Sequence, residues 1–189
     1  LSGSFCHGQY YAREPVTALL GAFSNEVKLL EESLTNSSVD TLFGVRVVSG
    51  QLQGQRVVVA LTGIGKENAA ATSPPIFHNY RPERVIFTGI AGGLNPALRP
   101  GDIVIGRETT HHDFGYVTFQ KQQTRQTRNT LNGEYNPVYF RGDSTILLKA
   151  QKAATLVLFR PITAASSPPT VHLGRIVTGD VFVSSDEKA

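Results

Sequence analysis

A chain of 189 residues can bury one sizeable core but not two, and 40% hydrophobic against 17% charged residues excludes a disordered chain, whose mark is low hydrophobicity with high net charge. No run approaches the ~18–20 unbroken apolar residues of a membrane span, and a net charge of +3 spread along the chain leaves no nucleic-acid footprint. The single cysteine, Cys6, excludes an internal disulfide framework and any CxxC metal site. The chain has no Met and opens LSGSFCHGQYY, so residues 1–15 are read as an N-terminal extension, a clipped terminus or the remnant of an export signal. Residues 16–189 are read as one domain, and the closing SSDEKA, a helix start with no helix behind it, as the end of a fragment.

Residues 16–23 (VTALLGAF) form a short continuous apolar run, which predicts a strand buried on both faces. Ser24 or Asn25 then caps a helix whose apolar face is Val27, Leu29, Leu30 and Leu34. Residues 43–48 and 56–61 are β-branched runs and read as two strands of a hairpin, joined by the polar stretch around Gly50 and Gly54. A glycine turn at residues 62–65 leads into an Ala-rich helix from about Lys66, where Pro74-Pro75 predict a kink or a break. Residues 84–88 (RVIFT) predict another buried strand, and Pro100-Gly101-Asp102 turn the chain into a strand at 103–105. Residues 120–135 are polar and aperiodic, a surface excursion. A helix at 145–158, a loop at 164–169 and a strand at 175–177 complete the chain. Strands alternating with helices, several of them wholly apolar, indicate an α/β domain with a mixed sheet covered on both faces.

Three clusters invite a chemical reading. Gly63-Ile64-Gly65-Lys66 is no phosphate loop, because Ala60 stands where GxxxxGK[ST] needs its first Gly and Glu67 follows the Lys. Gly89-Ile90-Ala91-Gly92-Gly93 likewise departs from GxGxxG. Each cluster still follows a strand, at the edge where α/β sheets bind ligands, and is either a ligand contact or a turn that needs positive φ. His111-His112-Asp113 has no further His or Cys at ligand spacing, which points to a hydrogen-bonded loop and not to a metal. Glu26, at the opening of the first helix, complements the helix dipole whatever else it does.

Five blocks, taken in order, carry a resemblance: ALLGAFSNEV (18–27), LTGIGK (61–66), TGIAGGL (88–94), PGDIV (100–104) and TGDVFV (178–183). With them the chain resembles the 5′-methylthioadenosine/S-adenosylhomocysteine nucleosidases of the nucleoside phosphorylase superfamily. The resemblance implies a three-layer α/β/α fold around a mixed central sheet, hydrolysing the N-glycosidic bond of an adenine nucleoside. That reaction builds positive charge on ribose and negative charge on the purine, so it needs a carboxylate for the water, an acid for the base and hydrogen bonds to the sugar. By the family pattern Glu26 is the water-binding carboxylate, Phe182 stacks on the purine, and the backbone of Val183 reads its edge. Ala91 and Gly92 let the chain approach sugar and base. Ile90 stands where many relatives carry Ser near the water, which leaves one hydrogen bond to be supplied elsewhere.

The resemblance further implies a homodimer in which Val117 or Phe119 reaches a neighbouring subunit's site. It implies no cofactor and no metal, and a cytoplasmic setting, with the N-terminal residues leaving export open. Two more family carboxylates, one for the ribose hydroxyls and one that protonates the purine, are expected past Ala189, so the chain as written is expected to be inactive. Phosphorolysis would need a cationic clamp on phosphate, for which residues 85–88 offer no Arg, and hydrolysis is favoured. The alternatives are a purine nucleoside phosphorylase, or a non-catalytic nucleoside-binding or storage relative, which Ile90 and the Pro-Pro helix would suit.

Overall fold

The apolar run at residues 16–23 becomes an interior strand of a five-stranded sheet. A computed structural model describes residues 14–119, 122–163 and 166–181. The chain divides into two compact units, Leu1–Ile90 and Ala91–Ala189. Among the described residues the first unit contains β1 (Thr17–Gly21), α1 (Ser24–Glu32), β2 (Thr35–Leu42), β3 (Val45–Leu52), β4 (Gln55–Leu61), α2 (Lys66–Tyr80) and β5 (Arg84–Phe87). The second contains β6 (Ile103–His111), β7 (Gly115–Val117), β8 (Gln122–Thr124), β9 (Phe140–Arg141), α3 (Ser144–Leu156) and β10 (Val171–Thr178).

In the first unit the sheet order is β2-β3-β4-β1-β5, with β1 parallel to both β4 and β5 and the β2-β3-β4 meander antiparallel. Successive residues of β1 point to opposite faces, and both faces are covered. Ala18 and Leu20 pack with Val47, Val58, Ala60 and Ile76 of α2. Leu19 packs with Val57, Val59 and Val27 of α1. The three layers α1, sheet and α2 thus follow from an apolar run that has no polar face. Both hairpin turns take two residues, Phe43-Gly44 and Gln53-Gly54, all at positive φ, which matches the twist of the strands they join.

Several sequence expectations are corrected here. The stretch at 35–42 (TNSSVDTL) is strand β2, missed because its side chains are almost all exposed and its order comes from backbone pairing with β3. Phe43 lies in a turn and not in a strand, and Gly50 lies within β3. Leu29 is 74% exposed and does not belong to the apolar face of α1, which is Val27 with partly buried Leu30 and Leu34. The residues of β5 are exposed in this unit, because β5 is the last strand of its sheet.

Helix α2 runs through Pro74 and Pro75 without the expected break. The two missing N–H groups strip partners from the carbonyls of Ala70 and Ala71. Both residues are exposed, on the side of the helix where water is available to those carbonyls. Ile76, immediately after, is fully buried and fastens the helix to the sheet. Ile76→Ala is therefore expected to lower unfolding stability by about 2–5 kcal/mol, read as a lower urea midpoint at an unchanged slope.

In the second unit β6 pairs with β10 in parallel and with β9 antiparallel, and β7 pairs with β8. The excursion at 120–135 is thus not structureless: besides β8 it closes through a bridge between Arg128 and Tyr135. Arg175 of β10 places Nε and Nη2 at 3.0 and 2.8 Å from Glu108 Oε1 of β6, with its guanidinium 4.0 Å from the centre of the Tyr139 ring. No helix among the described residues is long and apolar enough to cross a membrane.

The entry to β6 is pinned by Asp102, whose side chain is 3% exposed. Its Oδ1 accepts the N–H and the hydroxyl of Thr170, each at 2.8 Å, and its Oδ2 accepts the N–H of Arg99 at 2.9 Å. These bonds, with the Arg99 guanidinium beside them, hold the carboxyl well below its usual range. A depressed carboxylate contributes stability that is complete above its unfolded value and is lost as pH falls. Asp102→Asn should therefore destabilise the chain in full near pH ~6–7, with the gap in urea midpoint closing as pH drops below ~4. A gap that stays constant over that range would show that the charge of Asp102 does not matter.

Candidate active site at the carboxyl edge of the parallel strands

Strands β4, β1 and β5 run the same way and end on one edge. The ladder continues one step past them, with Thr62 N–H donating to Gly21 O at 2.8 Å and Thr88 N–H to Leu20 O at 2.9 Å. From Gly21 the chain turns through Ala22 and the extended Phe23 into α1. Glu26 is the third residue of that helix, where the first N–H groups have no partner in the helix and the dipole favours negative charge.

The Glu26 side chain turns back over the strand ends. Its Oε2 accepts the N–H of Ala22 at 2.6 Å and of Phe23 at 3.3 Å, and its Oε1 accepts the N–H of Ile90 at 2.9 Å. Local chain supplies two of these donors and a residue 64 positions away supplies the third. The fit leaves little room for a side chain at either strand end, against Val27 at Gly21 and against the carboxylate at Gly89. A Cβ on Gly21 would lie 2.7 Å from Val27 Cγ1 and 3.3 Å from Glu26 Oε2, and one on Gly89 would lie 2.9 Å from Glu26 Oε1. The half-buried carboxylate opens on a cleft of about 350 Å³ lined by Phe23, Asn25, Glu26, Thr88, Gly89 and Ile90.

The structure thus joins two of the expected site residues, Glu26 and Ile90, but in an unexpected way. The Ile90 side chain is 81% exposed, and what it offers the carboxylate is a backbone N–H that any residue there would offer. Ala91 and Gly92 belong to the second unit and are exposed, with open space around Gly92. Val117 closes β7 and is exposed, as is Phe119. Phe182 and Val183 lie outside the described residues.

Thr88 and Gly89 were legible only as part of a glycine cluster, Phe23 carried no signal of its own, and Ser24 and Asn25, expected as caps, lie inside α1 with Phe23 in the cap position. The Gly63-Ile64-Gly65 cluster proves to be a turn with positive φ at both glycines, tied by Asn68 Nδ2 to Ile64 O at 2.7 Å. A second depression, of about 510 Å³, lies in the second unit against Phe159, Val171 and Leu173, and among the described residues no carboxylate lines it.

After its N–H bonds are made, Glu26 retains acceptor capacity on Oε1, which takes one N–H where Oε2 takes two. A carboxylate so placed, at the carboxyl edge of the parallel strands of an α/β sheet, has the chemical means to orient a water and accept its proton. The family model described as the phosphorylase superfamily matches residues 16–189. A 5′-methylthioadenosine/S-adenosylhomocysteine nucleosidase of Bacillus thuringiensis (strain Al Hakam) is 33% identical over 176 residues, 90% of this chain and 67% of the relative. The nucleosidase of that name from Neisseria meningitidis, solved with methylthio-immucillin-A, is 35% identical with a TM-score of 0.71, covering 91% of this chain and 68% of the other. That of Colwellia psychrerythraea, solved with adenine, is 28% identical with a TM-score of 0.72, covering 93% and 66%. The chain belongs to the phosphorylase superfamily and, within it, to the 5′-methylthioadenosine/S-adenosylhomocysteine nucleosidase family. It spans about two thirds of the length of these relatives.

Proposed function

We propose that this protein hydrolyses the N-glycosidic bond of adenine nucleosides of the 5′-methylthioadenosine and S-adenosylhomocysteine type, releasing adenine. The observation that carries the reading is the Glu26 carboxylate, held by three backbone N–H groups over a cleft at the carboxyl edge of β1 and β5. In this mechanism a water bound by Glu26 adds to the anomeric carbon as the bond to the purine breaks. The water's proton goes to Glu26, and the bonding pair goes to the purine, which takes a proton from the second carboxyl group that the family pattern expects past Ala189. The carboxylate also faces the positive charge that grows on the ribose and stabilises it.

The family resemblance supports the remaining roles. Ala91 and Gly92 admit sugar and base, Phe182 stacks on the purine and the Val183 backbone reads its edge. The exposed Val117 and Phe119 suit a homodimer in which one of them reaches the neighbouring site. A cytoplasmic place in the salvage of the methylthio nucleoside is the matching setting.

The test is adenine release from 5′-methylthioadenosine in phosphate-free buffer, by protein that includes the two carboxylates expected past Ala189. Release that added phosphate does not accelerate supports hydrolysis. Release that depends on phosphate overturns it in favour of phosphorolysis, and binding without release overturns it in favour of a nucleoside-binding relative.

A further inference from the structure

We propose that Thr62 is a positioning residue for the Glu26 carboxylate, acting through the peptide that joins Gly21 to Ala22. This rests on the role given to Glu26 above. In a trans peptide the C=O and the N–H point to opposite sides of one rigid plane. Whatever fixes the Gly21 carbonyl therefore also aims the Ala22 N–H. Thr62 stands on the carbonyl side. Its N–H donates to Gly21 O at 2.8 Å, and its hydroxyl lies 3.3 Å from Gly21 O and 3.3 Å from Gly63 O. Glu26 stands on the other side, its Oε2 accepting the Ala22 N–H at 2.6 Å.

Thr62 is 1% exposed and follows an apolar run from Val57 to Leu61. A hydroxyl buried there is costly unless it is bonded, and its one proton is shared between the two carbonyls as a three-centre bond. A donor on a carbonyl also polarises the peptide and strengthens the bond that its N–H makes. The Thr62 carbonyl is held in turn from α2, by Thr72 Oγ1 at 3.0 Å, a hydroxyl shared with Asn68 O at 2.8 Å. The Glu26 carboxylate is thereby referenced to β4 and α2, and not only to the turn that follows β1.

The test compares Thr62→Val and Thr62→Ser in protein that includes the two carboxylates expected past Ala189, by hydrogen exchange at Ala22 and by the kinetics of adenine release. Thr62→Val keeps the shape and the N–H and loses only the hydroxyl. It should speed exchange at Ala22 by ~5- to 10-fold while Leu19 and Val59, inside their strands, stay protected. kcat should fall by ~10-fold with KM changed less than ~2-fold, since the group that is misaimed serves the reaction and not binding. Thr62→Ser keeps the hydroxyl and should retain most of both, although it removes a buried methyl that Thr62→Val does not. A role in packing alone would give the reverse order. Unchanged exchange at Ala22 in Thr62→Val, greater impairment in Thr62→Ser, or a rise in KM at constant kcat would overturn the proposal. Exchange at Ala22 that responds to Thr62→Val in a protein that neither binds nor releases adenine would sustain the tie and overturn the nucleoside reading instead.

Discussion

Replacing Glu26 with Gln is expected to lower kcat for adenine release by ~10²–10⁴-fold, the usual contribution of a general base, with KM little changed. The argument has two parts. An amide cannot take the water's proton. Nor can it satisfy its surroundings, because donors face both oxygens: Ala22 and Phe23 N–H on one and Ile90 N–H on the other. Gln presents a single acceptor oxygen, so its NH₂ must point at one set of donors and lose those bonds. The variant should still fold, since the sheet and Val27 are untouched, and its circular dichroism should match the parent's. Activity within ~10-fold of the parent would remove Glu26 from the role of base.

Gly89→Ala is expected to cost activity by ~10²-fold through geometry alone. The added methyl would sit 2.9 Å from Glu26 Oε1 and 3.3 Å from its Cδ. It would also come within 3.3 Å of Phe87 Cε1. Phe87 is exposed and can turn aside, but the carboxylate is held by hydrogen bonds on both oxygens and must give one up. The bond at risk is the one from Ile90, because it ends on the oxygen that the methyl approaches. Loss of activity with an unchanged thermal midpoint is the expected pattern. A lowered midpoint with normal activity in the folded fraction would place the cost in the strand instead.

The scaffold of this site was largely legible. Residues 16–23 and 56–61 are apolar without alternation, which only a strand covered on both faces can use, and they became β1 and β4 with a helix on each side. The site was less so. Glu26 alone reads as an acid in a first helical turn, and only the ordered blocks of family resemblance gave it a chemical role. Ile90 was marked for the side chain it lacks, whereas the structure uses its backbone. Side-chain patterns were equally silent on β2, which is held by pairing and not by burial, and misleading on Leu29 and β5.

By itself, then, the sequence determined the features that depend on neighbours along the chain. These are the apolar strands, the helix start that puts Glu26 near unpaired N–H groups, and the glycines at 21 and 89 that leave room for it. What only the tertiary structure decided is which distant groups complete them. Parallel pairing of β1 with β5 brings the Ile90 N–H to a carboxylate 64 residues earlier, and parallel pairing of β6 with β10 brings the Asp180 N–H to Asp113. A backbone donor is the same in every residue but proline, so no residue type announces where it will be used. Its partner is settled only when the strands find their register.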